Sequence, residues 1–183
     1  MSRLPIPASI ESSPAASQPL LQAVKKQFGN VPNLFRLVGN SPAALEGYLA
    51  LNAALGKGTL TAATRERIAL AVAEINGCGY CLSAHSYIGK NLAKLSDSEI
   101  AANRGGGSED PRADAAVRFA TRLVTARGHV SDDDLGAVRA AGYDDAQLLE
   151  IVLHVALNTL TNYVNDVAKT EIDLPVVAVT AAA

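Results

Sequence analysis

The sequence has no tryptophan, and aromatic residues make up only 4% of its 183 positions. It therefore offers no platform on which bases could stack. Its 16 basic and 18 acidic side chains leave a formal net charge of −2, and no run of Lys or Arg stands out. Phosphate binding needs a concentrated positive surface, so nucleic acid is not an expected partner. No segment approaches the roughly 20 uninterrupted apolar residues of a membrane helix, and no membrane partner is expected. Residues 1–17 carry one Arg among scattered prolines and serines, without the apolar stretch of a secretory leader, which points to a cytoplasmic protein. Cysteine is scarce too, with only two residues. In a reducing compartment such a pair is seldom a structural staple, so its spacing carries the information.

What the chain does have is alanine and helix punctuation. Its composition is 49% hydrophobic and 19% charged, as expected of a globular chain. Much of the apolar share is alanine, a strong helix former. Residues 1–17 read as an extended arm, and 18–183 as a single all-helical domain. Helical signals run from Pro19 to Phe28, closed by Gly29, with a short turn expected at Pro32 to Val38. Ser41 with Pro42 opens a helix to Leu55, and Thr61 caps another that stops at Asn76-Gly77. A further helix starts at Cys78 and reaches about Asn91. Ser96 to Glu99 has the capping-box pattern. Asp110-Pro111 opens a helix to Ala126, Ser131 one to Ala140, and Asp144 with Gln147 the longest, to about Ala168. The apolar tail from Thr170 is expected to dock on the domain. No internal repeat and no sustained Val/Ile alternation is present, so the fold class is all-α.

The chemistry concentrates in Gly-Cys-Gly-Tyr-Cys-Leu-Ser-Ala-His, residues 77–85. In a helix beginning near Cys78, the residues Cys78, Cys81 and His85 occupy i, i+3 and i+7, on one face. Both thiols then lie in the first turns, where free N–H groups and the helix dipole favour a thiolate. His85 can take the proton of Cys81 or stabilise its anion. A lowered thiol with a second thiol close by is what a redox dithiol requires. Two other readings fit the same residues. Zinc would need a fourth ligand, and with no third cysteine His129 or His154 would have to be brought in. Alternatively, two small cysteines simply fill an alanine-rich core. Glu66, on the preceding helix between Arg65 and Arg67, reaches His85 if the break at Gly77 folds the two helices into a hairpin, and would then orient the imidazole.

Glu66, Cys78-x-x-Cys81 and His85 together closely resemble the signature of the alkylhydroperoxidase-D-like proteins of the carboxymuconolactone decarboxylase superfamily. The flanking stretches Val31 to Arg36, Asn162 to Asn165 and Thr170 to Pro175 look like the peroxidase-related branch. The resemblance implies a compact multi-helix fold with the signature helices near a subunit interface, and assembly into dimers, trimers or hexamers. It implies a peroxidase or thiol-disulfide oxidoreductase acting on hydroperoxides. In that scheme Cys81 is the activated thiol, Cys78 its disulfide partner, and Glu66 with His85 the proton relay. No bound cofactor or metal is implied; a small peroxide and an external dithiol or redox-protein reductant are the expected partners. One position departs from the best-known branch, which has histidine immediately before the second cysteine where this chain has Tyr80. A phenol with a pKa near ~10 cannot shuttle protons at neutral pH as imidazole does, so Tyr80 is expected to donate a hydrogen bond, shape the pocket or pack.

Elsewhere, His154, Asn158 and Asn162 repeat every four residues, followed by Asn165, as a polar stripe suited to internal or intersubunit bonding. His129 sits in a turn and is expected to be idle, and Asp132 to Asp134 suit a helix start without any metal. Two other functions remain compatible with the sequence. One is a redox-sensing or interaction protein that oxidises once without turnover. The other is a lactone-type decarboxylase, which would leave the paired cysteines without a purpose.

Overall fold

A computed structural model describes residues 2–180. Met1 of the arm and residues 181–183 of the tail lie outside the described residues. Among those described, nine α-helices and no strand are present: α1 (Gln18–Phe28), α2 (Asn33–Val38), α3 (Pro42–Leu55), α4 (Ala62–Ile75), α5 (Gly79–Asn91), α6 (Asp97–Arg104), α7 (Pro111–Thr125), α8 (Asp132–Ala140) and α9 (Asp145–Ala168). The all-α expectation holds. The Pro32–Val38 segment is a helix rather than the expected turn, because Pro32 leads in as N-cap and five of the six residues of α2 are buried. Burial of that apolar run stabilises a helix too short to persist alone.

Polar caps start the helices where the punctuation places them. The side chains of Ser41, Thr61, Asp110, Ser131 and Asp144 each accept a backbone N–H from the first turn they precede. The Ser96–Glu99 box forms only by half. Ser96 accepts from the Glu99 N–H, whereas the Glu99 carboxylate turns inward to Arg67, Asn103, Ser108 and the Glu109 N–H. An arginine within 2.6 Å outweighs a backbone donor at the helix end.

Helix α4 forms the axis of the fold. Ile68 to Glu74 are all buried, so the helix is apolar on every side and must be surrounded. It packs against α5, α6, α7 and α9. Alanines at 69, 71 and 73 let those neighbours approach closely. The core divides about it into two clusters. One joins α1, α2 and α5 through Leu21, Leu34, Leu70 and Leu82; the other joins α7, α8 and α9 through Val72, Ala116, Val138 and Ile151. Gly77, at φ +67°, supplies the left-handed residue that turns the chain from α4 back along α5.

Both chain ends are tied to this body. Asn40 and Arg36 donate to the carbonyls of Pro5, Pro7 and Ala8, and Ile10 is buried. The tail crosses α5. Tyr80 Oη donates to Asp173 Oδ1 at 2.9 Å, Val177 N–H donates to Ser83 Oγ at 2.9 Å, and Thr180 N–H donates to Glu74 Oε1 at 2.6 Å.

Leu82 is fully buried beneath this tail. Leu82→Ala is expected to cost about 2–5 kcal/mol, through lost burial and the cavity left behind. Urea unfolding followed by circular dichroism measures it, and a change below about 1 kcal/mol would show that the α5 core is not closely packed.

Candidate active site

The α4–α5 reversal sets the site. Glu66 lies one turn inside α4 and His85 in the middle of α5, and the hairpin places Glu66 Oε2 2.8 Å from His85 Nδ1. Their side chains are 17% and 21% exposed, so their attraction is screened less than that of a surface pair. Burial opposes charging of the imidazole, but the neighbouring carboxylate outweighs it and raises the His85 pKa.

Cys78 is the N-cap of α5. Its sulfur accepts the Cys81 backbone N–H at 3.4 Å, in the role that Ser or Asp usually fills. Both thiols are free and buried. They are hydrogen-bonded to each other, and that hydrogen bond makes them unequal. Cys78 keeps its proton and gives it in a hydrogen bond to Cys81, which lowers the Cys81 thiol to about 6 and raises that of Cys78 far above its ordinary value. Burial works against the Cys81 thiolate, while the charge of His85 and amides from α9 favour it. Asn165 Nδ2 donates to Cys81 Sγ at 3.2 Å, and Asn165 is 3% exposed.

Tyr80 faces the other way. Its hydroxyl donates to Asp173 and accepts from the Leu34 N–H, and burial raises its pKa further from neutrality. It thus holds the tail and α2 together rather than moving protons. It also helps to line a cavity of about 200 Å³ with Cys78, Gly79, Asn165, Thr170 and Ile172, whose mouth carries Asp166 and Lys169. This cavity touches Cys78; Cys81 lies behind it.

Glu66 and His85 are therefore paired across the α4–α5 hairpin, Cys78 and Cys81 lie at the start of α5, and Tyr80 is turned toward the tail. His129 is exposed and elsewhere. His154 lies on the buried side of α9, and burial followed by the charge of Arg65 lowers its pKa to about 4, so it stays neutral. Among the described residues no three His, Cys, Asp or Glu side chains are arranged to hold a metal ion.

Residues 42–126 match the model of the carboxymuconolactone decarboxylase family, a stretch that runs from α3 through α7 and contains the whole signature. A protein of Ralstonia eutropha JMP134, described as an alkylhydroperoxidase AhpD core and peroxidase-related, superposes with a TM-score of 0.83 at 28% identity, covering 94% of this chain and 92% of that one. The family match and this structural likeness together support an alkylhydroperoxidase-D-like member of the carboxymuconolactone decarboxylase superfamily. A peroxidase-related protein of Silicibacter sp. TM1040 shares the fold, with a TM-score of 0.81 at 24% identity over 93% of this chain and 91% of that one. An uncharacterized protein of Haemophilus influenzae is 45% identical over 64 residues, 34% of this chain and 51% of its own length. The chain thus spans about half the length of that curated relative.

The α9 amides lie outside the matched stretch, and the sequence signals them only weakly. The stripe of His154, Asn158, Asn162 and Asn165 is visible at its four- and three-residue spacing, but nothing local says that it faces a sulfur. Asn165 makes that contact, and Asn162, whose Oδ1 accepts from Asn76, adds to the same field. Asn165→Leu, which removes the donor while preserving bulk, is expected to raise the Cys81 pKa by about one unit, or roughly tenfold in thiolate at a pH below it. The pH dependence of Cys81 alkylation by iodoacetamide, read by mass spectrometry, checks this. An unchanged midpoint would remove Asn165 from the site.

Proposed function

We propose that the chain is a thiol peroxidase acting on small hydroperoxides, cycling Cys78 and Cys81 between dithiol and disulfide. The observation that carries this reading is the inequality of the two thiols. One sulfur is held as the anion by its partner's proton, an amide and a charged histidine, while the other retains its proton. Such a pair separates the roles of attacking and resolving thiol.

In the proposed cycle the Cys81 thiolate attacks the terminal oxygen of ROOH. The O–O bond breaks, and RO⁻ leaves as the alcohol with a proton from the His85 imidazolium. Cys81 becomes a sulfenic acid, two electrons more oxidised. The Cys78 sulfur then attacks the Cys81 sulfur, an S–S bond forms, and the hydroxyl leaves with the Cys78 proton as water. An external dithiol attacks the disulfide and is oxidised to its own disulfide, which restores both thiols. Cys78 lines the cavity and is the sulfur that an incoming thiol meets first. Glu66, 2.8 Å from His85, keeps the imidazole oriented and recharged for each turnover.

Mass spectrometry of the reduced protein during stepwise peroxide addition tests the cycle. The wild type is expected to lose two hydrogens, and Cys78→Ser to stop as a sulfenic acid on Cys81. Cys81→Ser is expected to resist oxidation. Thiols that stay reduced in excess peroxide would end the peroxidase reading. Oxidation without repeated turnover in the presence of dithiothreitol would leave a redox sensor instead.

The rate should also follow the Cys81 anion. A lowered pKa means that the reactive form persists below neutrality and is lost as pH falls through about 6. Stopped-flow oxidation between pH 4.5 and 8 is expected to give a single rise with its midpoint near that value. A midpoint in the ordinary thiol range, roughly 8.5, would contradict the geometry.

A further inference from the structure

The cavity beside Cys78 does not reach Cys81, so a peroxide has to meet the attacking sulfur from another side. Outside the cavity Cys81 is flanked by His85 with Glu66 behind it, and both of those side chains are partly exposed. Helix α3 adds one more group. Leu45, Tyr48 and Leu49 stand at i, i+3 and i+4, on one face of that helix. Leu45 is fully buried, and Tyr48 and Leu49 pack against the cluster that contains Cys81. Phe35 fixes the Tyr48 ring, with the ring centres 5.6 Å apart.

Tyr48 is the phenol that this region leaves uncommitted. Of the five tyrosines, Tyr80 is taken up by Asp173 and the Leu34 N–H, and Tyr143 lies in the other core cluster beneath Arg112. Tyr87 and Tyr163 stand in solvent. The Tyr48 ring is partly buried, yet its hydroxyl has no hydrogen-bond partner among the described residues. It also stays open to solvent, unlike the enclosed Asn165 Oδ1 and Thr170 Oγ1. Burial, then the charges of Cys81 and Glu66, raise its pKa, so it keeps its proton at neutral pH. Phenol and sulfur are thus close enough to feel each other's charge without being bonded.

We infer that Tyr48 is a catalytic hydrogen-bond donor, its hydroxyl holding the leaving oxygen of the peroxide while Cys81 attacks the other. The assignment rests on the peroxidase reading and extends it by one residue. As the S–O bond forms and the O–O bond breaks, negative charge gathers on the RO oxygen. A donor already fixed at that point stabilises the transition state more than the bound peroxide. The proton that completes the alcohol comes from His85. The phenol keeps its own, so Tyr48 is unchanged at the end of each turnover. A carboxylate in its place would repel the thiolate, which a neutral donor does not.

Tyr48→Phe keeps the ring and its contact with Phe35 and removes only the hydroxyl. Single-turnover oxidation of the reduced variant by tert-butyl hydroperoxide, followed by rapid-quench mass spectrometry, is expected to be about tenfold slower than wild type or more. Peracetic acid releases acetate, a weak base that needs little help, and should lose less than about threefold. The pH midpoint of Cys81 alkylation by iodoacetamide should not move, because that reaction has no oxygen leaving group. A variant oxidised as fast as wild type would overturn this role and leave the peroxidase reading intact. A shifted alkylation midpoint, or equal losses with the two oxidants, would make the hydroxyl a support of the thiolate and overturn the role as well. A wild type that neither oxidant converts would overturn the peroxidase reading itself, and the role of Tyr48 with it.

Discussion

The surrounding of α4 on all sides is the constraint from which the rest of the architecture follows. A helix whose residues 68 to 74 are all buried cannot lie on a surface, so four neighbouring helices must cover it. One of them, α5, is covalently next in the chain and can return along α4 only through a residue that tolerates a positive φ, which Gly77 provides. That return brings the open first turn of α5 into the interior, and with it two thiols that would otherwise meet water. It also fixes the partner of His85, since Glu66 is the α4 carboxylate beside it. Burial of α4, the hairpin and the Glu66–His85 pair are thus one geometric fact seen at three scales.

Burial alone would suppress thiol chemistry, because it disfavours the anion. The site overcomes this penalty for one sulfur by giving it three favourable neighbours: the Cys78 proton, the His85 charge and the α9 amides. The other sulfur bears the cost, remaining neutral and capping the helix through the Cys81 N–H. Asn165 supplies a donor from a helix remote in sequence, while Tyr80, in the place where the best-known branch has a histidine, is committed to binding the tail through Asp173. The lowered pKa of Cys81 thus rests on the Cys78 thiol, one imidazole and the α9 amides, with no part played by the Tyr80 phenol.

Helix α9 joins this chemistry to the outer surface. An amide on its inner side meets the Cys81 sulfur, and large apolar residues such as Leu149, Tyr163 and Val167 face outward. Its 24 residues begin at a complete capping box and end at Lys169 in a left-handed conformation, which keeps both faces in fixed rotation relative to the core.

The sequence by itself determined the helices, because caps, prolines and glycines act on their immediate neighbours. Ser41, Thr61, Asp110 and Asp144 mark true starts, and Gly77 a true break. It also determined that Cys78, Cys81 and His85 share a face, since helix periodicity is local. It did not determine α2, whose short apolar run is helical only because partners bury it, nor the fate of Glu99, whose expected backbone bond gives way to Arg67. Above all it left open which groups surround the sulfurs. Glu66 and Asn165 stand 15 and 84 residues from Cys81 in the chain, yet both act on its chemistry. The packing about α4 decided that, because electrostatic effects on a buried thiol depend on distance through space, which local sequence patterns do not encode.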